Sequence, residues 1–327
     1  MSAIVTRAPL RLALGGGGTD LPLYYRQHGG FVVSAAIDRY VHVSVRESAN
    51  SRFRLEHLEL EEVDRVEDVR HPILRAALEQ HRRDDPLELS SRGDVPPGTG
   101  LGSSGSYTVC TLKALALAAG RDPAPEELAE EAARIEIEVL GRPVGKQDQY
   151  AAALGGVRAY TFEPDSSVEA RLLQLPDTTL RALRDDFLLF YTGEARSAAE
   201  VLSHQVKGTL AGDVRTAENL HRAKKLALET GQALETGDLA RFAELMEGHW
   251  EVKRARAPGA VTERAEELRR LAGEAGALGV MLMGAGGGGF LLAYAPRPEE
   301  TREAMSRAGA PELVFGLDGE GCVALDA

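Results

Sequence analysis

The sequence predicts an α+β fold in two lobes. Short runs with strand-type alternation fill the N-terminal third, roughly a hundred residues of helical periodicity fill the middle, and an apolar strand returns after the last glycine run. Segregation of this kind argues against a doubly wound parallel sheet, in which strands and helices would alternate along the chain.

Taken in order, "RLAL" reads as a strand running into a glycine run. "FVVSAAID" and "YVHVSVRE" read as two strands separated by little more than Arg39. "FRLEHLELEEV" alternates with period two, which predicts one half-exposed strand. "HPILRAALEQHRR" opens on proline and predicts a helix, and "LELSS" is a short strand. A buried helix is expected from Ser103 to Ala119, stopped by Gly120. "APEELAEEAARIEIEVLG" predicts a single helix with Pro125 in its first turn and Gly141 as its stop. After "GKQDQYAAALGG" come the strands "VRAYTF" and "DFLLFYTG". Four helices follow, "SAAEVLSHQVKGTL", "VRTAENLHRAKKLALETGQAL", "LARFAELMEGHWEVKRA" and "TERAEELRRLAGEAG". The strand "GFLLAYA", a short helix and further strands close the chain. The expected lobes are residues 1–180 and 181–327, with a soft boundary between Thr178 and Asp186. No repeat or low-complexity segment is evident.

A net charge of −12, with Arg and Glu interleaved on what read as solvated helix faces, gives no basic stripe for nucleic acid. No apolar run is long enough for a membrane span or a signal peptide. Two cysteines, Cys110 and Cys322, without a CxxC pair fit a reducing compartment. The expectation is a cytoplasmic enzyme acting on small molecules, as a monomer or homodimer. An acidic chain still binds anions where cations and backbone amides are local.

The stretch "PPGTGLGSSGSYTV" holds small residues just before the predicted helix at Ser103. Glycine lets the backbone approach a ligand, and the first amides of a helix lack intrahelical partners and carry partial positive charge. A phosphate meets both conditions. Gly100, Gly102 and Gly105 also satisfy GxGxxG, but Pro96 and Pro97 interrupt the strand that a dinucleotide fingerprint requires. A Walker loop would need Gly-Lys-Ser/Thr, and no lysine is present. A plain glycine turn before a core helix stays open on this stretch alone.

Two more glycine runs stand at "LALGGGGTDLP" and "LMGAGGGGF". Three such runs in this order, the middle one built as PxxxGLGSS, resemble the superfamily of galactokinase, homoserine kinase, mevalonate kinase and phosphomevalonate kinase (GHMP kinases). "RLALGGGGTDLPLYY", "GGFVVSAAIDRYVHV", "GKQDQYAAALGGV" and "YTGEARSAAEVL" resemble its heptose-7-phosphate kinase branch, and the first motif has kinship with fucose kinases. The resemblance implies a two-lobe fold with the active site in the cleft, ATP and Mg2+, and phosphorylation of the anomeric hydroxyl of D-glycero-D-manno-heptose 7-phosphate. The alternatives are an anomeric kinase of a neutral, fucose- or galactose-like sugar, a non-catalytic sensor of the same fold and a decarboxylating branch.

The same resemblance implies roles for particular residues. Asp148 matches the catalytic aspartate that accepts the hydroxyl proton; by position alone it could equally cap the helix that follows. Arg11 would lie beside it and offset charge on the γ-phosphate. Pro97, Gly98, Thr99, Gly100, Leu101, Gly102, Ser103, Ser104 and Gly105 form the expected triphosphate loop. Ser104 and Glu136 match the metal ligands, with Glu138 expected on another helix face. Gly16, Gly17, Gly18, Thr19 and Asp20 are expected at the sugar, although Asp20 could instead cap the short helix from Leu21. Arg196, with Lys146, Lys207 and Lys253 as further candidates, would meet the distal phosphate. One departure from the branch is Met281, at or near a position where a lysine is usual before the third glycine run.

Overall fold

The computed structural model describes residues 3–81, 85–194 and 206–325. Its first sheet is built on a long antiparallel pair, β1 (Ile4–Gly15) and β2 (Gly30–Glu47). The two strands expected around Arg39 are one continuous β2. The pairing register shifts between Pro9 and Leu10, so that their partners jump from Tyr40 to Ile37. Asp38 and Arg39 occupy the resulting bulge, an irregularity that bends a strand without ending it.

"FRLEHLELEEV", expected as one strand, is a hairpin of β3 (Phe53–Glu56) and β4 (Leu60–Val63). The reversal turns Glu61 inward. The amides of Arg70 and His71 donate to its carboxylate at 2.7 and 3.1 Å, and His57 lies 2.8 Å away. A buried carboxylate with this many partners is tolerated where a lone one would not be. The helix α2 (Pro72–Gln80) and the strand β5 (Leu87–Gly93) follow as expected.

The helix α3 (Ser103–Ala118) lies across β1 and β2 and buries Val109, Leu112 and Leu115. The next predicted helix is divided: α4 (Pro125–Arg134) continues into a π-helical turn, Ile135–Val139. A π turn adds a residue to the helical repeat and is frequent at functional sites. It carries Glu136. The helix α5 (Gln147–Leu154) leads to β6 (Val157–Phe162), which pairs with β2, and then to β7 (Val168–Leu172). Among the named strands the path order is β11-β1-β2-β5-β3-β4, where β11 is Val323–Leu325.

The helix α6 (Asp177–Asp185) spans the expected lobe boundary. Beyond it, β8 (Phe187–Tyr191), β9 (Gly279–Leu282) and β10 (Phe290–Tyr294) form a second sheet in the order β8-β10-β9. The helices α7 (Val214–Thr236), α8 (Leu239–Arg254), α9 (Glu263–Glu274) and α10 (Pro298–Arg307) complete the chain. The expected helix "SAAEVLSHQVKGTL" lies mostly outside the described residues. One core joins both sides of residue 180: Leu10, Leu12 and Val33 share it with Leu183, Phe187, Phe242 and Leu292. The chain's end also crosses over, because β11 adds to the edge of the first sheet beside β1.

Candidate active site

The three glycine runs converge on one cleft. Gly17 and Gly18 of the first, Gly98, Gly100 and Gly102 of the second, and Gly284 of the third line it, with Arg11, Asp20, Ser103, Ser104, Gln147, Asp148 and Arg256. The backbone of the third run lies directly on the second: a Cβ added at Gly284 would come 2.6 Å from the Gly100 Cα. Gly102 precedes α3 with φ +81°, a left-handed conformation that favours glycine. Its conformation turns the loop so that the unpaired amides opening α3 sit at the cleft.

Arg11 joins three elements. Its Nε and Nη2 lie 2.8 and 2.7 Å from Asp148 Oδ1, and its Nη1 donates to the Gly100 carbonyl at 2.6 Å. Asp148 stands in the first turn of α5, whose N-cap is Lys146, so it is not the helix cap that its position also allowed. Asp148 Oδ2 has no hydrogen-bond partner among the described residues. One carboxylate oxygen is thus oriented and the other is available to a ligand.

Across the loop, Ser104 Oγ donates to Glu136 Oε2 at 2.6 Å. Glu136 is 1 % exposed. Its other oxygen accepts from Gln149 Nε2 at 2.8 Å and Thr108 Oγ1 at 3.2 Å. Arg142 Nη1 rests 3.1 Å from both Ser104 Oγ and Glu136 Oε2. A guanidinium therefore sits against the two oxygens expected to meet the metal. Glu138 is exposed and lies 4.0 Å from Arg26, away from this group. One carboxylate and one hydroxyl suit Mg2+, which keeps several waters and takes phosphate oxygens.

The part of the cleft expected to meet the sugar is built around Asp20. Its Oδ1 accepts from the Gly18 amide at 2.9 Å and its Oδ2 from the Gln147 amide at 3.1 Å. The N-cap of α1 (Pro22–His28) is Leu21, so Asp20 ties the first glycine run to α5 and does not cap that helix. Burial raises the Asp20 pKa; the Gln147 amide opposes the rise and the Asp148 charge adds to it.

Other expected residues are placed differently. Thr19 is wholly buried, with Oγ1 2.8 Å from the Gly16 carbonyl and 2.9 Å from the Phe31 carbonyl, so its side chain shapes the turn and does not line the cleft. Thr99 donates to the Pro96 carbonyl at 2.9 Å, Leu101 packs in the core, and Pro97 is exposed. Gly105 lies behind the cleft, where an added Cβ would stand 2.7 Å from the Asp148 Cβ. Lys146 is a correction: its Nζ donates to both oxygens of Glu130, at 2.6 and 2.8 Å, and to the Ser166 carbonyl at 2.9 Å. An ammonium paired this way is not directed to a sugar phosphate. Lys253 is buried, and its Nζ bonds the carbonyls of Leu282 and Gly284, tying α8 to the third glycine run. Met281 packs in β9 opposite Leu292, among apolar side chains. Arg196 lies outside the described residues.

Three residues were not anticipated. Gln147, buried beside Asp148, donates through Nε2 to Ser34 Oγ at 3.2 Å. Arg142 and Arg256 match no motif that the sequence singled out. The Arg256 Nη2 donates to the Gly17 carbonyl at 2.6 Å, while its buried Nε has no partner among the described residues. Burial lowers its pKa to about 10, against the Asp20 charge, so it remains a cation at neutral pH.

Residues 70–156 match the GHMP kinases N-terminal domain, and residues 232–311 match the GHMP kinases C-terminal domain. The chain is 32 % identical over 307 residues to the D-glycero-alpha-D-manno-heptose 7-phosphate kinase of Campylobacter jejuni, covering 90 % of each chain. It superimposes on a D-glycero-D-manno-heptose 1-phosphate kinase from Bacteroides thetaiotaomicron with a TM-score of 0.80 at 25 % identity, covering 99 % of both chains. The galactokinase of Lactococcus lactis, solved with galactose, shares the fold with a TM-score of 0.77 at 20 % identity, covering 100 % of this chain and 95 % of that one. The chain belongs to the GHMP kinase family and is a phosphotransferase. Kinases of this family use ATP as a substrate, generally with Mg2+. No described helix is long and apolar enough to cross a membrane.

Proposed function

We propose that this kinase transfers the γ-phosphoryl group of ATP to the anomeric hydroxyl of D-glycero-D-manno-heptose 7-phosphate. The observation that carries the reading is the Arg11–Asp148 pair, with one oriented and one unpartnered carboxylate oxygen, opening onto a cleft lined by three glycine runs. Asp148 accepts the hydroxyl proton as the sugar oxygen bonds to the γ-phosphorus, and the bond to the β-phosphate oxygen breaks to release ADP. Such a base contributes about 10²–10⁴-fold to the rate. Arg11 holds Asp148 in place and adds positive charge beside the transferred group. The amides at the start of α3 and the glycines of the loop receive the phosphates. Ser104 and Glu136 would hold Mg2+, whose charge offsets that of the phosphate oxygens when bound. Asp20 and the first glycine run would position the sugar.

The choice of acceptor leans on the likeness to the Campylobacter enzyme. The test is incubation with ATP and Mg2+ against heptose 7-phosphate, the unphosphorylated heptose, fucose and galactose, followed by phosphorus NMR. A new anomeric phosphate on heptose 7-phosphate is expected. Preference for an unphosphorylated sugar overturns the acceptor, and no phosphorylated product from any sugar overturns the reading.

A further inference from the structure

Next to the sugar end of the cleft runs an open groove of about 890 Å³, lined by Lys207, Arg215, Arg254 and Arg256 with the loop at Pro258 and Gly259. That is large enough for a phosphorylated polyol chain. Its one lining carboxylate among the described residues, Asp213, is engaged as the N-cap of α7, accepting from the Thr216 amide at 2.9 Å and the Thr216 hydroxyl at 2.6 Å. Arg254 is paired with Glu251 at 2.7 Å. Lys207, Arg215 and Arg256 have no ion-pair partner among the described residues. Three cations without a direct ion pair, with only the charges of Asp213 near Arg215 and Asp20 near Arg256, are conspicuous on a chain whose net charge is −12.

Arg256 connects this groove to the active site, because it lines both cavities. Nη2 is used by the Gly17 carbonyl, whereas Nε is buried with no acceptor among the described residues. A buried unsatisfied donor is uncommon and calls for a partner. An anion placed between the sugar cleft and the groove would supply one.

We propose that Arg256, Lys207 and Arg215 form the subsite for the terminal phosphate monoester of the acceptor. This rests on the sugar-phosphate reading above. It assigns the distal phosphate to a set of cations on α7, on the turn after α8 and on the segment before α7. Arg256 would bind at the neck, and the two exposed cations would draw the dianion in from solvent. A guanidinium is suited to this task, since it presents several donors in one plane to phosphate oxygens.

The test uses Lys207→Ala, Arg215→Ala, the double variant and Arg256→Ala, with heptose 7-phosphate and unphosphorylated heptose as acceptors. Melting temperature and stabilisation by ATP should match the wild type in the first three. Losing one exposed charge-assisted bond should raise KM for the phosphorylated acceptor about 10-fold, with kcat nearly constant. Arg256→Ala should lower use of that acceptor furthest. The unphosphorylated heptose should be used equally by wild type, Lys207→Ala and Arg215→Ala. At saturating ATP, inorganic phosphate should compete with heptose 7-phosphate in the wild type and much less in the double variant. Equal effects on both acceptors, or retained phosphate inhibition in the double variant, would overturn the subsite and leave the kinase reading intact. A wild type that phosphorylates only unphosphorylated sugars would overturn the acceptor assignment itself, and the subsite with it.

Discussion

Replacing Glu136 by glutamine separates a metal ligand from one more glutamate on an acidic helix. The wild-type carboxylate accepts from four donors: Ser104, Arg142, Gln149 and Thr108. A carboxamide keeps one oxygen, which can still serve Gln149 and Thr108. Its NH2 group then faces Ser104 Oγ and the Arg142 guanidinium. Ser104 can rotate its hydroxyl and accept, but Arg142 loses its acceptor and meets a second donor. A charge-assisted bond is worth about 1.5–3 kcal/mol when buried. Arg142 is 32 % exposed, so solvent screens part of that, and about 1–2 kcal/mol remains. In a chain of this size that corresponds to a Tm lower by a few degrees. Glu138→Gln should leave Tm unchanged, because Glu138 is 61 % exposed and its ion pair with the exposed Arg26 spans 4.0 Å. The functional difference should be larger. The Mg2+ concentration for half-maximal rate should rise at least about 10-fold in Glu136→Gln and stay constant in Glu138→Gln. The assay is a Mg2+ titration of turnover at fixed ATP beside thermal unfolding without ligand. If the two variants share one Mg2+ dependence, Glu136 is not a metal ligand.

Asp148→Asn keeps the shape and removes the proton acceptor, so kcat should fall by about 10²-fold or more while ATP binding measured by calorimetry persists; near-normal turnover would leave Asp148 a positioning residue. Gly102→Val forces a branched side chain into φ +81° with its Cβ 3.1 Å from the Arg11 Cγ, so ATP should no longer raise the melting temperature. Arg142→Met frees Ser104 and Glu136 from a competing cation, so less Mg2+ should saturate the enzyme in the same titration. His249 is buried near Lys253 and Arg256, which lowers its pKa from 6.5 to about 3, burial being the larger cause. Its native pKa lies below the unfolded one, so its contribution is complete above pH 6.5 and is lost as pH falls toward about 3. At about 1.4 kcal/mol per pH unit, urea unfolding at pH 7 and 5 should show the wild type losing about 2 kcal/mol more than His249→Gln; equal losses would refute the buried neutral imidazole.

Much of the site is legible in the chain because its signals are local. Glycine runs mark where the backbone must come close to something, and the order of three such runs with Asp148 between the second and third specified a kinase of this family. Most of the expected strands and helices are present among the described residues. The expectations failed at places where a single tertiary contact decides the path. Asp38 and Arg39 looked like a break between strands, but pairing with β1 absorbs them as a bulge. The alternation through "FRLEHLELEEV" is the same for one strand or a hairpin, and the buried acceptor set around Glu61 selects the hairpin.

What the sequence by itself determined is the class of the protein, through motifs that resemble one family, and with that resemblance came the loop proposed to receive phosphate and the proposed Arg11–Asp148 pair. What only the tertiary structure decided is where each long charged side chain ends. Lys146 was a fair candidate for a sugar phosphate by its place beside Asp148, yet Glu130, sixteen positions away, takes its ammonium. Arg256 lay in a basic stretch with nothing to distinguish it from Arg254. In the fold Arg254 turns to Glu251, while Arg256 reaches the Gly17 carbonyl at the far end of the chain. The reason is physical. A lysine or arginine carries its charge several bonds from the backbone, so its partner is set by which surfaces the fold brings together, and local spacing carries no record of that choice.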